Sequence, residues 1–158
     1  MSKELSPLEV RGVLLPLHTG QLLIPNNNLC EVIGYRPPET GPESYPDWLL
    51  GIVPWRQRQV PVVCFDALVG SPVDSVGQRA RIAMCYSLQD NATKPFIGIL
   101  LRSIPHLVRV METLITPIGE PGEFGPMIAG QVRIGGQEAW IPDFDSLEQA
   151  LGETLQPS

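Results

Sequence analysis

Residues Trp48–Ala67, WLLGIVPWRQRQVPVVCFDA, decide how the rest of the chain is read. Two runs of apolar, β-branched and aromatic residues, Trp48–Val53 and Val60–Phe65, flank a short polar connection. That pattern predicts a β-hairpin. Its tip, Trp55-Arg56-Gln57-Arg58-Gln59, is the most basic spot in an acidic chain. Two readings of the tip stand side by side: a contact surface for a partner, and a solvated turn beside a packed tryptophan.

Composition bounds what can surround this hairpin. The 158 residues suit one domain, or two very small ones sharing a core. With 43% hydrophobic and 18% charged residues the chain can bury such a core, so wholesale disorder is not expected. Its 17 Pro and 15 Gly are spread without a period, as punctuation between the short runs of a many-stranded β protein. The formal net charge is −6, and the 11 basic residues include only two lysines, Lys3 and Lys94. No basic stripe exists, so nucleic acid is not an expected partner. No apolar run approaches the roughly 18 residues that span a bilayer, and direct membrane insertion is not expected either. The opening MSKELSPLEV lacks the apolar stretch of a signal peptide, which predicts a soluble, cytoplasmic protein. Cys30, Cys64 and Cys85 lie far apart in apolar runs, with no CxxC pair or His/Cys zinc spacing. They are expected to be buried free thiols, without metal or cofactor.

Taken in order, residues 1–9 form a polar tail. Val10–His18 is a first strand, turned at His18-Thr19-Gly20 into a second, Gln21–Pro25. Asn26-Asn27-Asn28 are turn or cap formers. Leu29–Tyr35 is a third strand, whose alternation puts Leu29, Glu31 and Ile33 on one face. Residues 36–47 hold four prolines and predict an exposed loop before the central hairpin. Ala67–Gly70 closes that hairpin, and the flexible stretch 71–78 is the expected boundary between two halves. Arg79–Ser87 is a strand and Leu88–Lys94 a polar turn. Pro95–Leu101 and Ile104–Met111 are strands expected to pair across a bend at Arg102-Ser103. Residues 116–126 form another Pro/Gly loop. Met127–Ile134 and Glu138–Ile141 are strands around the tight-turn signal Gly135-Gly136. Asp143–Leu151 is the one convincing helix, capped by Asp143 or Asp145 with Phe144, Leu147 and Leu151 on one face, and 152–158 is a tail. The sum is an all-β fold, one barrel or a pair of small barrels.

Catalytic templates find little purchase. His18 and His106 have no Ser, Cys or carboxylate neighbour in a nucleophile-like motif. Asp143, Asp145 and Glu148 gather at a helix start, where acids suit the positive end of the dipole. Asp66 and Asp74 carry no mark of a catalytic pair, and the glycines form no phosphate loop. Aromatic anchors remain: Trp48, Trp55, Trp140, Tyr35, Tyr45 and Tyr86. Most are expected in the core; Trp55, between Pro54 and Arg56, is expected at an exposed bend.

Pro46-Asp47-Trp48-Leu49-Leu50-Gly51-Ile52-Val53, Trp55-Arg56 and Val60-Pro61-Val62 follow a pattern of Pro, two or three apolar residues, Gly-Val/Ile, Asn-x-Arg-Gly and Val-Pro-Val/Ile-Val. In this the chain resembles the CheW-like family of chemotaxis coupling proteins. The likeness runs from about residue 10 to 151. It takes in Gln21–Tyr35, Phe96-Ile97-Gly98-Ile99, Ala129-Gly130 and Trp140-Ile141-Pro142-Asp143-Phe144. Pro54 stands where the pattern has Asn, Gln57 where it has Gly, Cys64 where Asp often follows, and Leu101-Arg102 where it has Val-Asp. With these departures the chain is similar to accessory members, such as the ChpC-like group of type IV pilus and twitching motility systems.

The resemblance implies two SH3-like five-stranded β-barrels packed together, with a short C-terminal helix, in a CheW-like domain over 10–151. It implies a non-enzymatic adaptor without cofactors. Such an adaptor would bridge the regulatory domain of a CheA-type histidine kinase and the cytoplasmic tip of a methyl-accepting chemoreceptor, recruited to membrane-associated receptor arrays. Other CheW-like proteins are further partners. Arg56 matches the arginine needed for coupling, and Leu29 and Glu31 match positions near the receptor groove; Trp55, Gly51 and Arg58 complete the partner-binding set. The alternative is an accessory module that contacts receptor or kinase only, or competes with a standard coupling protein. A pocket with an inward-facing polar cluster would instead revive an enzyme acting through His106 or Asp66.

Overall fold

The computed structural model describes residues 9–71, 73, 75–87, 95–111 and 115–155. The first half of the chain contributes β1 (Glu9–Pro16), β2 (Gln21–Pro25), a 3₁₀ turn at Asn26–Asn28, β3 (Leu29–Gly34), β4 (Leu49–Trp55), β5 (Arg58–Val63) and α1 (Phe65–Leu68). The second contributes β6 (Arg81–Tyr86), β7 (Phe96–Leu101), β8 (His106–Met111), β9 (Ile115–Ile118), β10 (Ile128–Ile134), β11 (Gln137–Pro142) and α2 (Phe144–Leu155). Strands dominate, as the β-branched runs between Pro and Gly require.

These strands form two sheets. One has the order β8-β1-β2-β11-β10-β9 and the other β3-β6-β7-β5-β4. The outer sheet is therefore built from both ends of the chain, and the inner one from its middle. Each is curled around a core of its own. Val53, Trp55, Val60, Val62, Ile82 and Met84 fill the inner sheet. Leu14, Leu23, Val132 and Ala139 fill the outer one. A third and larger core lies between them, where Leu15, Leu22, Phe65, Ile99 and Leu101 meet Phe144, Leu147 and Leu151 of α2. Strands such as β6, buried on both faces, read as unbroken apolar runs for this reason. The two SH3-like barrels thus share one core.

Three strands pass from the shared core to a private one, each with a β-bulge. The register of β3 slips between Leu29 and Glu31, that of β4 between Leu49 and Gly51, and that of β10 between Ile128 and Gly130. Leu29, Leu49 and Ile128 face the shared core, whereas Ile33, Val53 and Val132 beyond each bulge face a private one. An inserted residue reverses the side-chain parity of everything that follows it. The expectation that Leu29, Glu31 and Ile33 share a face is thereby corrected: the bulge at Cys30 puts Leu29 on the opposite side.

α1 pins the two barrels together. Asp66, wholly buried, accepts the Thr19 amide at 2.8 Å, the Thr19 hydroxyl at 2.5 Å and the His18 amide at 3.4 Å. A carboxylate on the inner barrel thus holds the β1–β2 turn of the outer one. α2 starts where expected, with Asp143 Oδ1 accepting the Ser146 amide at 3.0 Å. It continues to Leu155, into the stretch expected to be tail.

Four further expectations change. The connection at 71–78 joins α1 to β6 within one sheet, and the chain crosses between sheets at 26–28 and at 102–105. β7 and β8 do not pair; β8 pairs with β1, because Arg102 turns the chain out of the inner sheet, donating its amide to Pro16 O at 2.9 Å and its Nε–H to Leu17 O at 3.1 Å. Part of the loop expected at 116–126 is strand β9, paired with β10 despite Pro117. The short helix α1 stands where only a closing turn was expected. Residues 1–8 of the expected tail and the polar turn 88–94 lie outside the described residues.

Candidate functional site

The β4–β5 hairpin turns on two residues, Arg56 and Gln57, with φ of 51° and 62°; Trp55 pairs with Arg58. This left-handed pair is the geometry that matches the twist of a two-residue hairpin, and it is usually supplied by Asn-Gly. Here two long side chains adopt it, at a conformational cost that glycine would avoid.

From that turn Arg56 reaches the other edge of the sheet. Its Nη2 lies 2.7 Å from Glu31 Oε1 on β3, and its Nη1 donates to Cys30 Sγ at 3.8 Å. The guanidinium also lies 4.4 Å from the centre of the Trp55 ring. β3 and β4 are the two edges of the inner sheet and share no ladder, so this contact closes the barrel's seam through side chains. Half-exposed on both sides, at 57% and 42%, the ion pair contributes at most about 1 kcal/mol to stability. Positioning is its main effect.

Beneath the tip an aromatic ladder runs across the sheet. Trp55 meets Phe96 edge-on, with centroids 4.9 Å apart at 83°, and Phe96 lies 5.6 Å from Tyr86. Arg58 is held 5.9 Å from the centre of the Phe96 ring. Tyr86 is 45% exposed. Its hydroxyl is raised above the ordinary tyrosine range, first through its hydrogen bond with the Cys30 thiol and then by the charge of Cys30.

The structure thus brings Glu31 to the tip residues Trp55, Arg56 and Arg58. Trp55 is not the exposed bend expected: it is only 8% exposed, because β4 and β5 run up to the turn and alternation puts it on the Val53 side. Leu29 faces the shared core. Gly51 is buried at φ 142°, and a Cβ there would sit 2.1 Å from Glu39 O, where residues 38–39 cover the β4 edge. Sequence reasoning named Tyr86 only as one of six aromatic anchors and did not bring it or Phe96 to the tip, because β6 and β7 reach the tip only through pairing that is distant in the chain.

The outer sheet carries a second exposed patch. Leu107 and Ile104 are 72% and 56% exposed, and on the β1–β8 ladder Arg109 lies directly opposite Arg11. Like charges facing each other oppose strand pairing, and among the described residues neither arginine has an ion pair. Its signal in the sequence was Leu107 alternating with Arg109, meaningless until the partner strand is known.

The residues named for catalysis are placed otherwise. His18 Nδ1 lies 3.6 Å from Asp66 Oδ2, inside the latch that joins the barrels. His106 is exposed on β8, opposite Leu14. A cavity of about 330 Å³ between β2 and the start of α2 is lined by Leu23, Pro25, Ala129, Ile141 and Phe144, with Asp143 and Asp145 at its rim. It presents no histidine, cysteine or serine. Among the described residues no group of three His, Cys, Asp or Glu is placed to hold a metal, and no helix is long and apolar enough to cross a membrane. Cys64 and Cys85 are buried and Cys30 is partly so.

Comparison with known proteins gives three results. A family model described as the CheW-like domain matches residues 11–151. No curated protein matches the chain. Among 15 matching chains of solved structures is the crystal structure of the scaffolding protein TtCheW from Thermoanaerobacter tengcongensis. It is 17% identical, with a TM-score of 0.69, over 85% of this chain and 88% of that one. At that identity the likeness is one of fold.

Proposed function

Since the chain belongs to the CheW-like domain family, we propose that it is a non-enzymatic signalling adaptor coupling a chemoreceptor tip to the regulatory domain of a CheA-type histidine kinase, acting in the cytoplasm at receptor arrays. The observation that supports this reading is a pair of exposed surfaces in different parts of the fold. One is the basic-aromatic tip around Arg56 and Arg58; the other is the exposed apolar patch of Ile104 and Leu107. An adaptor has to hold two partners at once, and apolar patches edged by arginine suit that task. Arg56 positions the tip by closing the seam with Glu31, and Trp55 and Gly51 support it from within.

Gln57 and Pro54, where the family pattern has Gly and Asn, favour a second reading. In it the chain is an accessory member serving type IV pilus motility, contacting one partner only or competing with a standard coupling protein. A titration of the purified chain against both a kinase regulatory domain and a receptor-tip fragment separates the readings. Micromolar binding to both, weakened by Arg56→Ala, supports the bridge; binding to one supports the accessory role; binding to neither removes the function and leaves the fold.

A further inference from the structure

The two arginines of the hairpin tip have different electrostatic surroundings. Arg56 is already neutralised, its guanidinium 2.7 Å from the Glu31 carboxylate and laid against Trp55 at 4.4 Å. Arg58, exposed on the next strand, has no ion pair among the described residues, in a chain whose acids outnumber its bases 17 to 11. Its guanidinium lies 5.9 Å from the centre of the Phe96 ring. The same Phe96 ring lies 5.6 Å from that of Tyr86, which is 45% exposed. A cation with no ion pair among the described residues and a half-exposed tyrosine ring, both meeting one phenylalanine, offer charge complementarity to a carboxylate and a plate for an apolar group.

We propose that Arg58 and Tyr86 are the partner-facing anchor of this tip, with Arg56 positioning it, and that they take an acidic segment of the receptor tip, the carboxylate at Arg58 and an apolar side chain at Tyr86. The planar guanidinium forms paired hydrogen bonds with a carboxylate. Because Phe96 already restrains Arg58, less side-chain freedom is lost when the partner arrives. Arg56 would have to abandon Glu31 to do the same, leaving an unpaired carboxylate at the seam. This inference rests on the adaptor reading and names the chemistry of its partner at the tip.

The test is a titration of the full chain against a receptor-tip fragment at several salt concentrations. Arg58→Glu and Tyr86→Ala are each expected to weaken binding about 10-fold or more without lowering Tm, and Arg58→Lys to recover part of the loss. Arg58→Ala should also flatten the salt dependence of affinity, because a charge that meets the partner has been removed. Arg56→Ala combined with Glu31→Gln, which removes the ion pair without changing the net charge, should weaken binding while leaving that slope unchanged, which a purely structural role for Arg58 would not predict. Parental affinity in Arg58→Glu and Tyr86→Ala would overturn the anchor and leave the adaptor reading in place. A salt slope that follows Arg56 instead of Arg58 would overturn it too. No binding by the unmodified chain would remove receptor coupling, and the anchor with it.

Discussion

Arg56 and Glu31 join at 2.7 Å across the two edge strands of the inner sheet, which have no backbone ladder between them. A barrel seam closed by side chains can be weakened without removing a single strand pairing. A double-mutant cycle of Arg56→Ala and Glu31→Ala in urea unfolding is expected to give a coupling of about 0.2–1 kcal/mol, with both variants folded. A larger coupling would mean that the pair is desolvated in solution.

At Gln57 the left-handed backbone carries a cost that glycine does not bear. With φ at 62° on an exposed turn, Gln57→Gly is expected to raise stability by roughly 0.5–1 kcal/mol. Gly51→Ala gives the opposite result. Its φ of 142° and the Glu39 carbonyl 2.1 Å from any Cβ leave no room, so a loss of about 3 kcal/mol or more is expected in the same unfolding assay.

Asp66 should be the most sensitive polar residue. Removing it leaves the Thr19 amide and hydroxyl and the His18 amide without their acceptor. Asp66→Ala is expected to cost about 2–4 kcal/mol, against about 1 kcal/mol for Thr19→Ala, which deletes only the hydroxyl contact. Equal losses would mean that the carboxylate does not hold the turn.

Alkali should act through the thiols. Burial pushes the Cys85 thiol from 9.0 up to about 12, with the charge of Cys30 adding to it, and burial raises Cys64 as well. Between those two values the unfolded chain gives up the Cys85 proton and the folded chain keeps it. This contribution is therefore level below pH 9.0 and lost towards pH 12, at about 1.4 kcal/mol per pH unit. Cys85→Ala should flatten the decline measured by chemical unfolding across that range. In the native state Cys30, the only one of the three not fully buried, should react first with a thiol reagent.

Local chemistry settled much of this molecule in advance. Alternating apolar runs fixed the strands, Gly135-Gly136 fixed its turn, and Asp143 fixed the start of α2, because each depends on residues within a few positions of one another. The basic tip was legible for the same reason, since Trp55, Arg56 and Arg58 are neighbours. What neighbours cannot encode was decided by tertiary structure. One inserted residue at Cys30 turned Leu29 away from Glu31, and pairing with β1 drew β8 out of the sheet that holds β7. The third dimension also brought Glu31 to Arg56, and Phe96 and Tyr86 beneath the tip. Side-chain parity and strand partnership arise from which faces are buried together, and a linear pattern carries that only once both sheets have closed on their shared core.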